Sequence, residues 1–212
     1  MKLHTFWRSS AAYRARIALN FKGIPYEAIP HSLREGAHRK PEYLGLNPQG
    51  LVPAIEDGKA LIAQSVAIVE YLEERYPSPP LLPKDSLARA HVRSMALHIA
   101  CEIHPLNNLR VLNFLRDVMH LDPAAVDRWY AHWIATGFGA LEVLAKLHSG
   151  DGQHCFGSEV TMADVFLVPQ MFNARRFKCD VTPYPTLCAI SAFLEKLPPF
   201  VAARPEVQPD AQ

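Results

Sequence analysis

Two serines stand side by side at Ser9 and Ser10, between an apolar strand-like run from Lys2 to Phe6 and a helix-forming run from Ser10 to Phe21. A serine at such a junction can cap the helix, its hydroxyl oxygen accepting a first-turn amide. The same place offers unpaired backbone N–H groups and a partial positive charge, which stabilise a thiolate or another anion, and a hydroxyl there can donate to sulfur. A second group is Gln49-Gly50-Leu51-Val52-Pro53-Ala54, followed by Ala63-Gln64-Ser65. A cis bond before Pro53 would turn the Val52 backbone toward an extended ligand, where its N–H and C=O would pair with a peptide main chain as an added strand does. Ser65, read as the cap of the next helix, suits an α-carboxylate. A third group, Thr161 with Asp164, has capping-box spacing and reads as structural, the nucleus of a buried helix.

The elements that must position these residues follow from punctuation and period. Strand, helix and strand alternate over Lys2–Phe6, Ser10–Phe21 and Tyr26–Ile29, the second strand following the Gly23/Pro25 stop, which predicts a β-α-β unit. A helix is expected over Arg34–Leu44, then the turn Asn47-Pro48-Gln49-Gly50. Strands near Ala54–Glu56 and Leu61-Ile62 flank Asp57-Gly58 and should form a hairpin, and a helix should run from Ser65 to before Pro77. Four prolines within Pro77–Pro83 mark a linker. Beyond it, apolar residues at helical spacing predict helices over about 87–118, 123–147, 162–176 and 186–197.

The 212 residues are 49% apolar, enough to bury one large core or two small ones. Twenty-two Lys and Arg against 21 Asp and Glu leave a net charge of +1, so no global field steers the chain toward nucleic acid or an anionic membrane, and any anion recognition must be local. No apolar stretch reaches the length of a transmembrane span, and the opening residues lack a secretory apolar core; a cytoplasmic protein is expected. Cys101, Cys155, Cys179 and Cys188 stand far apart, without metal or redox spacing, and read as reduced thiols.

The run Arg8-Ser9-Ser10-x-x-Tyr13-Arg14-x-Arg16-Ile17-Ala18-Leu19 is similar to the zeta-class glutathione transferase signature Ser-Ser-Cys-x-Trp-Arg-Val-Arg-Ile-Ala-Leu. Asn47-Pro48, Val52-Pro53, Gln64-Ser65, Ala67-Ile68, Tyr71-Leu72-Glu73-Glu74, Arg176-Phe177 and Asp180-Val181-Thr182-Pro183-Tyr184-Pro185 extend the resemblance over essentially the whole chain. It implies an α/β plus all-α fold, with a thioredoxin-like glutathione-binding domain over residues 1–80 and an all-helical substrate-binding domain over residues 87–212. It also implies glutathione as cofactor and a homodimer. Within the class are maleylacetoacetate and bacterial maleylpyruvate isomerases, which return glutathione unchanged. Ala11 replaces the signature's cysteine; since the nucleophilic sulfur comes from glutathione, that departure touches a secondary role.

The resemblance implies cis–trans isomerisation of a maleyl keto acid, with maleylacetoacetate preferred and maleylpyruvate the alternative. Thiolate addition to the cis bond, rotation and expulsion of the thiolate give the trans product. Ser9, with Ser10 close behind, would lower the thiol pKa by roughly one to two units. Arg8, Arg110 and Arg176 would meet the substrate's anionic groups, Arg8 and Arg176 also acting on developing charge; for each, the competing reading is a solvated surface charge. His38, Gln49, Val52, Pro53, Gln64, Ser65, His104 and Asn108 are the implied glutathione contacts, and no spacing supports a metal site. A conjugating transferase or peroxidase would use the same thiolate with a less cationic pocket. A non-catalytic module of the same fold would be expected to lose the serines, Val52-Pro53 or Ser65.

Overall fold

The computed structural model describes residues 1–211. In chain order the strands and α-helices are β1 (Lys2–Thr5), α1 (Ser10–Phe21), β2 (Glu27–Pro30), α2 (Pro41–Leu46), β3 (Ala54–Asp57), β4 (Ala60–Ala63), α3 (Ser65–Arg75), α4 (Ser86–Leu97), α5 (Leu109–Asn113), α6 (Pro123–His148), α7 (Met162–Arg176), α8 (Pro185–Leu194) and α9 (Pro198–Ala203). They form two units, one of Met1–Leu81 with the stretch that begins at Lys196, the other of Leu82–Glu195.

The first unit carries a four-stranded sheet in the order β2-β1-β3-β4. The β-α-β reading is realised: β1 and β2 are parallel, with His4 opposite Ile29. β3 then runs antiparallel to β1 and pairs with β4 through the two-residue turn Gly58-Lys59, where Gly58 takes φ +61°. Pro30 is tolerated because β2 is an edge strand. Leu3 and Ile55 from the sheet, Ile17 and Leu19 from α1, and Ile68 and Leu72 from α3 are all fully buried. α1 packs against α3 and also against α9, so even its polar positions are enclosed; Arg14 and Arg16 are 1% and 0% exposed.

Three expectations change here. The helix expected over 34–44 is replaced by a single 3₁₀ turn at Ala37–Arg39 and the short α2. Pro41 sits at the first helical position and forces Lys40 to extended backbone, so the helix can start only there. Ser65 does not cap α3; Gln64 occupies the cap position with φ +72°, and Ser65 is the first helical residue. The C-terminal stretch adds α9, with Pro198 at its start and Phe200 fully buried, where no helix was expected.

The proline-rich linker is fastened at its first half. Lys22 Nζ donates to Glu73 Oε2 at 2.8 Å, to the Tyr76 carbonyl at 2.6 Å and to the Pro79 carbonyl at 2.9 Å, and Glu73 also accepts the Leu81 amide at 2.9 Å.

The second unit has helices as its regular elements, apart from an isolated β-bridge between Ser149 and Gly157. Its central helix, α7, is almost wholly buried and begins with the expected capping box: the Asp164 carboxylate accepts the Thr161 amide at 2.7 Å and the Cys155 amide at 2.7 Å. The helix expected over 87–118 is interrupted. α4 passes into a π-helical stretch at His98–Ile103, a turn follows at Pro105, and α5 restarts under an Asn108 cap. Proline lacks the amide that would continue the ladder, and Asn108 supplies a new acceptor. α8 ends at Leu194, three residues before the expected limit. No helix among the described residues is long and apolar enough to cross a membrane.

Candidate active site

Ser9 is the N-cap of α1, with backbone at φ −70°, ψ 117°, and its hydroxyl oxygen accepts the Ala12 amide at 3.2 Å. That bond uses an oxygen lone pair, leaving the hydroxyl hydrogen to donate elsewhere. Capping and thiolate stabilisation are therefore compatible in one residue. Ser10 begins the helix and is buried. No acidic residue lies in the first turn of α1, so its positive end is not offset locally. Arg8, half-buried, places its guanidinium over the Trp7 ring at 5.3 Å.

The second group forms a cradle in the same unit. Tyr43 Oη and Asn47 Nδ2 both donate to the Leu51 carbonyl, at 2.7 and 2.8 Å, and the Gln49 amide donates to Asn47 Oδ1 at 3.2 Å. These bonds fix the peptide that leads into Val52. The Val52–Pro53 bond is cis, and the β1–β3 register begins only at Ala54, so the Val52 backbone stands outside it. Gly50 has φ +58°, and a Cβ there would lie 3.1 Å from Leu44 and 3.2 Å from the His38 carbonyl, so a side chain would crowd the turn.

Gln64 Nε2 donates to Gln49 Oε1 at 2.6 Å, joining the two halves of the cradle beside Ser65. The Ser65 hydroxyl oxygen accepts from Arg14 Nη1 at 3.3 Å. His38 is buried, and its Nδ1 has no partner. Burial first and Arg39 second hold its imidazole below the usual range, so it is neutral at physiological pH. A buried nitrogen lacking a partner, a backbone edge at Val52 and a carboxylate-suited helix start at Ser65 fit a small peptide with a free α-carboxylate.

In the second unit, the turn from His104 to Arg110 is tied to α6. Asn107 Nδ2 donates to the Tyr130 carbonyl at 3.2 Å, and Asn108 Oδ1 accepts the Arg110 amide at 3.1 Å. The Tyr130 ring stacks on Phe177 at 3.8 Å, and the Arg176 guanidinium lies over that same Phe177 ring at 4.5 Å. Burial pushes the Tyr130 hydroxyl well up, opposed by the Arg176 charge. Tyr130 thus links the His104–Arg110 turn to the end of α7. Arg110 and Arg176 are exposed, and His104 and Asn108 are half-buried.

Sequence reasoning assigned no role to Arg14, Arg16, Tyr43 or Asn47, although the first two lie inside the quoted signature. The signal available was their setting, two arginines among Ala, Ile and Leu on a helix that must bury one face.

The family model for the glutathione S-transferase N-terminal domain matches residues 8–75. A maleylpyruvate isomerase from Ralstonia sp is 46% identical over 211 residues, covering 100% of both chains. A solved holo structure of a maleylpyruvate isomerase, a bacterial glutathione S-transferase of the zeta class, superposes with a TM-score of 0.98 at 46% identity and full coverage of both chains. A maleylacetoacetate isomerase from Methylobacterium extorquens AM1, solved with bound malonate and glutathione, gives a TM-score of 0.96 at 39% identity, again with full coverage of both.

Proposed function

Because the chain belongs to the zeta class of the glutathione S-transferase family, we propose that it is a glutathione-dependent cis–trans isomerase of a maleyl keto acid, with maleylacetoacetate as substrate. The observation that carries this reading is full-length similarity to isomerases of both maleyl acids on a chain that keeps Ser9, Gln49, Val52-Pro53, Gln64 and Ser65. Maleylpyruvate is the second reading, favoured by the TM-score of 0.98.

Glutathione, when bound, supplies the sulfur nucleophile for reversible addition to the conjugated double bond. The first unit would hold it: the Val52 N–H and C=O would pair with its main chain, Ser65, Gln64 and Gln49 would take its γ-glutamyl end, and His38 would offer a ring nitrogen. Ser9 would donate its hydroxyl hydrogen toward the sulfur while the first-turn amides of α1 would add positive potential. Ser10 is the alternative donor. Arg8, Arg110 and Arg176 bind the substrate's carboxylates and the keto oxygen on which charge gathers, the last a group that gains most from fixed cationic donors. His104 and Asn108 are further glutathione contacts in this reading. The proposal extends to a homodimer in the cytoplasm, supported by the family resemblance and by four free cysteines, which suit a reducing compartment.

Ultraviolet assays on both maleyl acids, with and without glutathione, test the reading. Turnover should require glutathione in catalytic amount and leave the free thiol unconsumed. Loss of thiol in proportion to substrate would identify conjugation instead.

A further inference from the structure

Arg16 is fully enclosed in α1, yet its donors converge on the loop that precedes Ser9. Nη1 donates to Thr5 Oγ1 at 3.1 Å and to the Phe6 carbonyl at 3.4 Å, Nη2 to the Trp7 carbonyl at 2.9 Å, and Nε to the Ala203 carbonyl at the end of α9 at 3.0 Å. The Phe6 carbonyl also accepts the Ser9 amide at 3.0 Å. The guanidinium and the amide of the residue that caps α1 therefore share one oxygen atom.

Every one of these acceptors is neutral. Neutral dipoles can satisfy the N–H groups but leave the charge itself in place, and a buried charge is screened far less than an exposed one. Burial lowers the guanidinium pKa to about 10, which still leaves it charged at neutral pH; Tyr26, Tyr13, Asp210 and Glu206 act in the opposite direction. Asp210 is itself tied to the loop, accepting the Trp7 amide at 2.9 Å.

We propose that Arg16 is a positioning residue for the thiol chemistry: it fixes the Phe6–Ser9 turn and keeps a buried positive charge one carbonyl away from Ser9, where that charge stabilises a thiolate. The inference rests on the glutathione reading of this site. A purely structural tie could have been made in part by a neutral amide, which would not incur the cost of burying a charge.

The test is the pKa of glutathione bound to the full-length protein, read from thiolate absorbance against pH, for wild type, Arg16→Gln and Arg16→Lys. Arg16→Gln should raise that pKa by about one to two units, the scale expected for a charge roughly 6 to 12 Å away at an effective dielectric constant near 20. Arg16→Lys keeps the charge and should raise it by less than half as much, although both variants lose thermal stability through the lost carbonyl contacts. A wild-type protein that leaves the thiol pKa unlowered would sink the glutathione reading itself. A lowered wild-type value that Arg16→Gln leaves unmoved, or that both variants raise equally, would overturn the role of the charge alone. Should neither variant fold, Asp210→Asn keeps the question open to measurement. It removes a nearby anion, so at low ionic strength the bound thiol pKa should fall by a few tenths of a unit and return in about 0.5 M salt; no change, or a rise, at low salt would overturn the proposal.

Discussion

Arg14 and Ser65 meet inside the first unit across 51 positions of sequence, Arg14 Nη1 donating to Ser65 Oγ at 3.3 Å. A guanidinium has no acceptor, so this bond fixes which way the serine points: its oxygen is engaged and its hydrogen is left for a ligand anion. Charge-assisted hydrogen bonds are typically worth about 1.5 to 3 kcal/mol, so Ser65→Ala should weaken glutathione binding by roughly ten- to a hundredfold. The rate at saturating glutathione should stay within about threefold of wild type. Calorimetric titration with glutathione and with an analogue lacking the γ-glutamyl α-carboxylate makes the check, since the analogue should bind wild type and Ser65→Ala alike.

Ser9 and Ser10 separate by consequence. Ser9→Ala removes both a cap and the hydroxyl assigned to sulfur, so helix stability should fall by about 1 kcal/mol and the bound thiol pKa should rise by about one unit. Ser10→Ala, within α1, should do neither. Thermal melts with thiolate titrations on both variants decide; a rise in thiol pKa only for Ser10→Ala would transfer the role to Ser10.

Arg8→Ala and Arg176→Ala should each lower kcat/KM for the maleyl acid by about one to two orders of magnitude while leaving glutathione affinity nearly unchanged. Lysine should recover part of the loss, because it restores charge without the planar two-donor fork. Unchanged specificity constants would return both arginines to the role of solvated charges.

Lys22 and Glu73 form a buried pair at 2.8 Å, with the lysine side chain at 0% exposure and the glutamate at 7%. Removing one partner leaves the other charged and unmatched, a loss of about 3 to 5 kcal/mol. Lys22→Met should therefore lower the denaturant midpoint sharply, and Lys22→Met combined with Glu73→Leu should recover part of that loss. A loss of unfolding free energy below about 1 kcal/mol for the single variant would count against the pair as a structural tie.

Stability should decline in mild acid because of two histidines in the first unit. His31 is held below its ordinary value by burial, then by His4 and His38; His38 is held down by burial, then by Arg39. His4 Nδ1 lies 2.8 Å from His31 Nε2, and His4 Nε2 donates to Glu56 at 2.7 Å. A lowered folded pKa means that the unfolded chain binds more protons, so this contribution is present above the unfolded value of about 6.5 and is lost as pH falls from there toward the lower folded values. The melting temperature should drop between about pH 7 and pH 5, and His31→Gln with His38→Gln should flatten that slope. The depressed carboxylates Glu56, Glu142, Asp151 and Asp180 act in the same direction, but their window opens only below about pH 4.5.

What could be read in the sequence was carried by punctuation and local chemistry. Ser9 before an Ala-rich helix, the Asp57-Gly58 turn and the Thr161/Asp164 box are decided within a few residues, and the structure forms the helix, hairpin and cap at those places. Pro41 carried the correction to α2 in plain view, since proline favours the first helical turn and disfavours the interior, although the buried α7 accommodates Pro169 within its length. What remained hidden was decided across long separations. Nothing near Arg16 announces the Ala203 carbonyl, and nothing near Tyr43 except its spacing announces the Leu51 carbonyl. The helix α9 was hidden for the same reason: Pro198-Pro199 looks like a terminus until Phe200 and Ala203 find α1 to cover.

That return of α9 sets an order of assembly. A ribosome emits Met1–Leu81 and then makes the entire helical unit before Pro198–Ala203 appear, an interval of roughly ten seconds at ~5–20 residues per second. Throughout it the nascent α1 lacks one of its covering surfaces, and Arg16 lacks its Ala203 acceptor. The portion of the chain synthesised first is the portion whose burial is finished last.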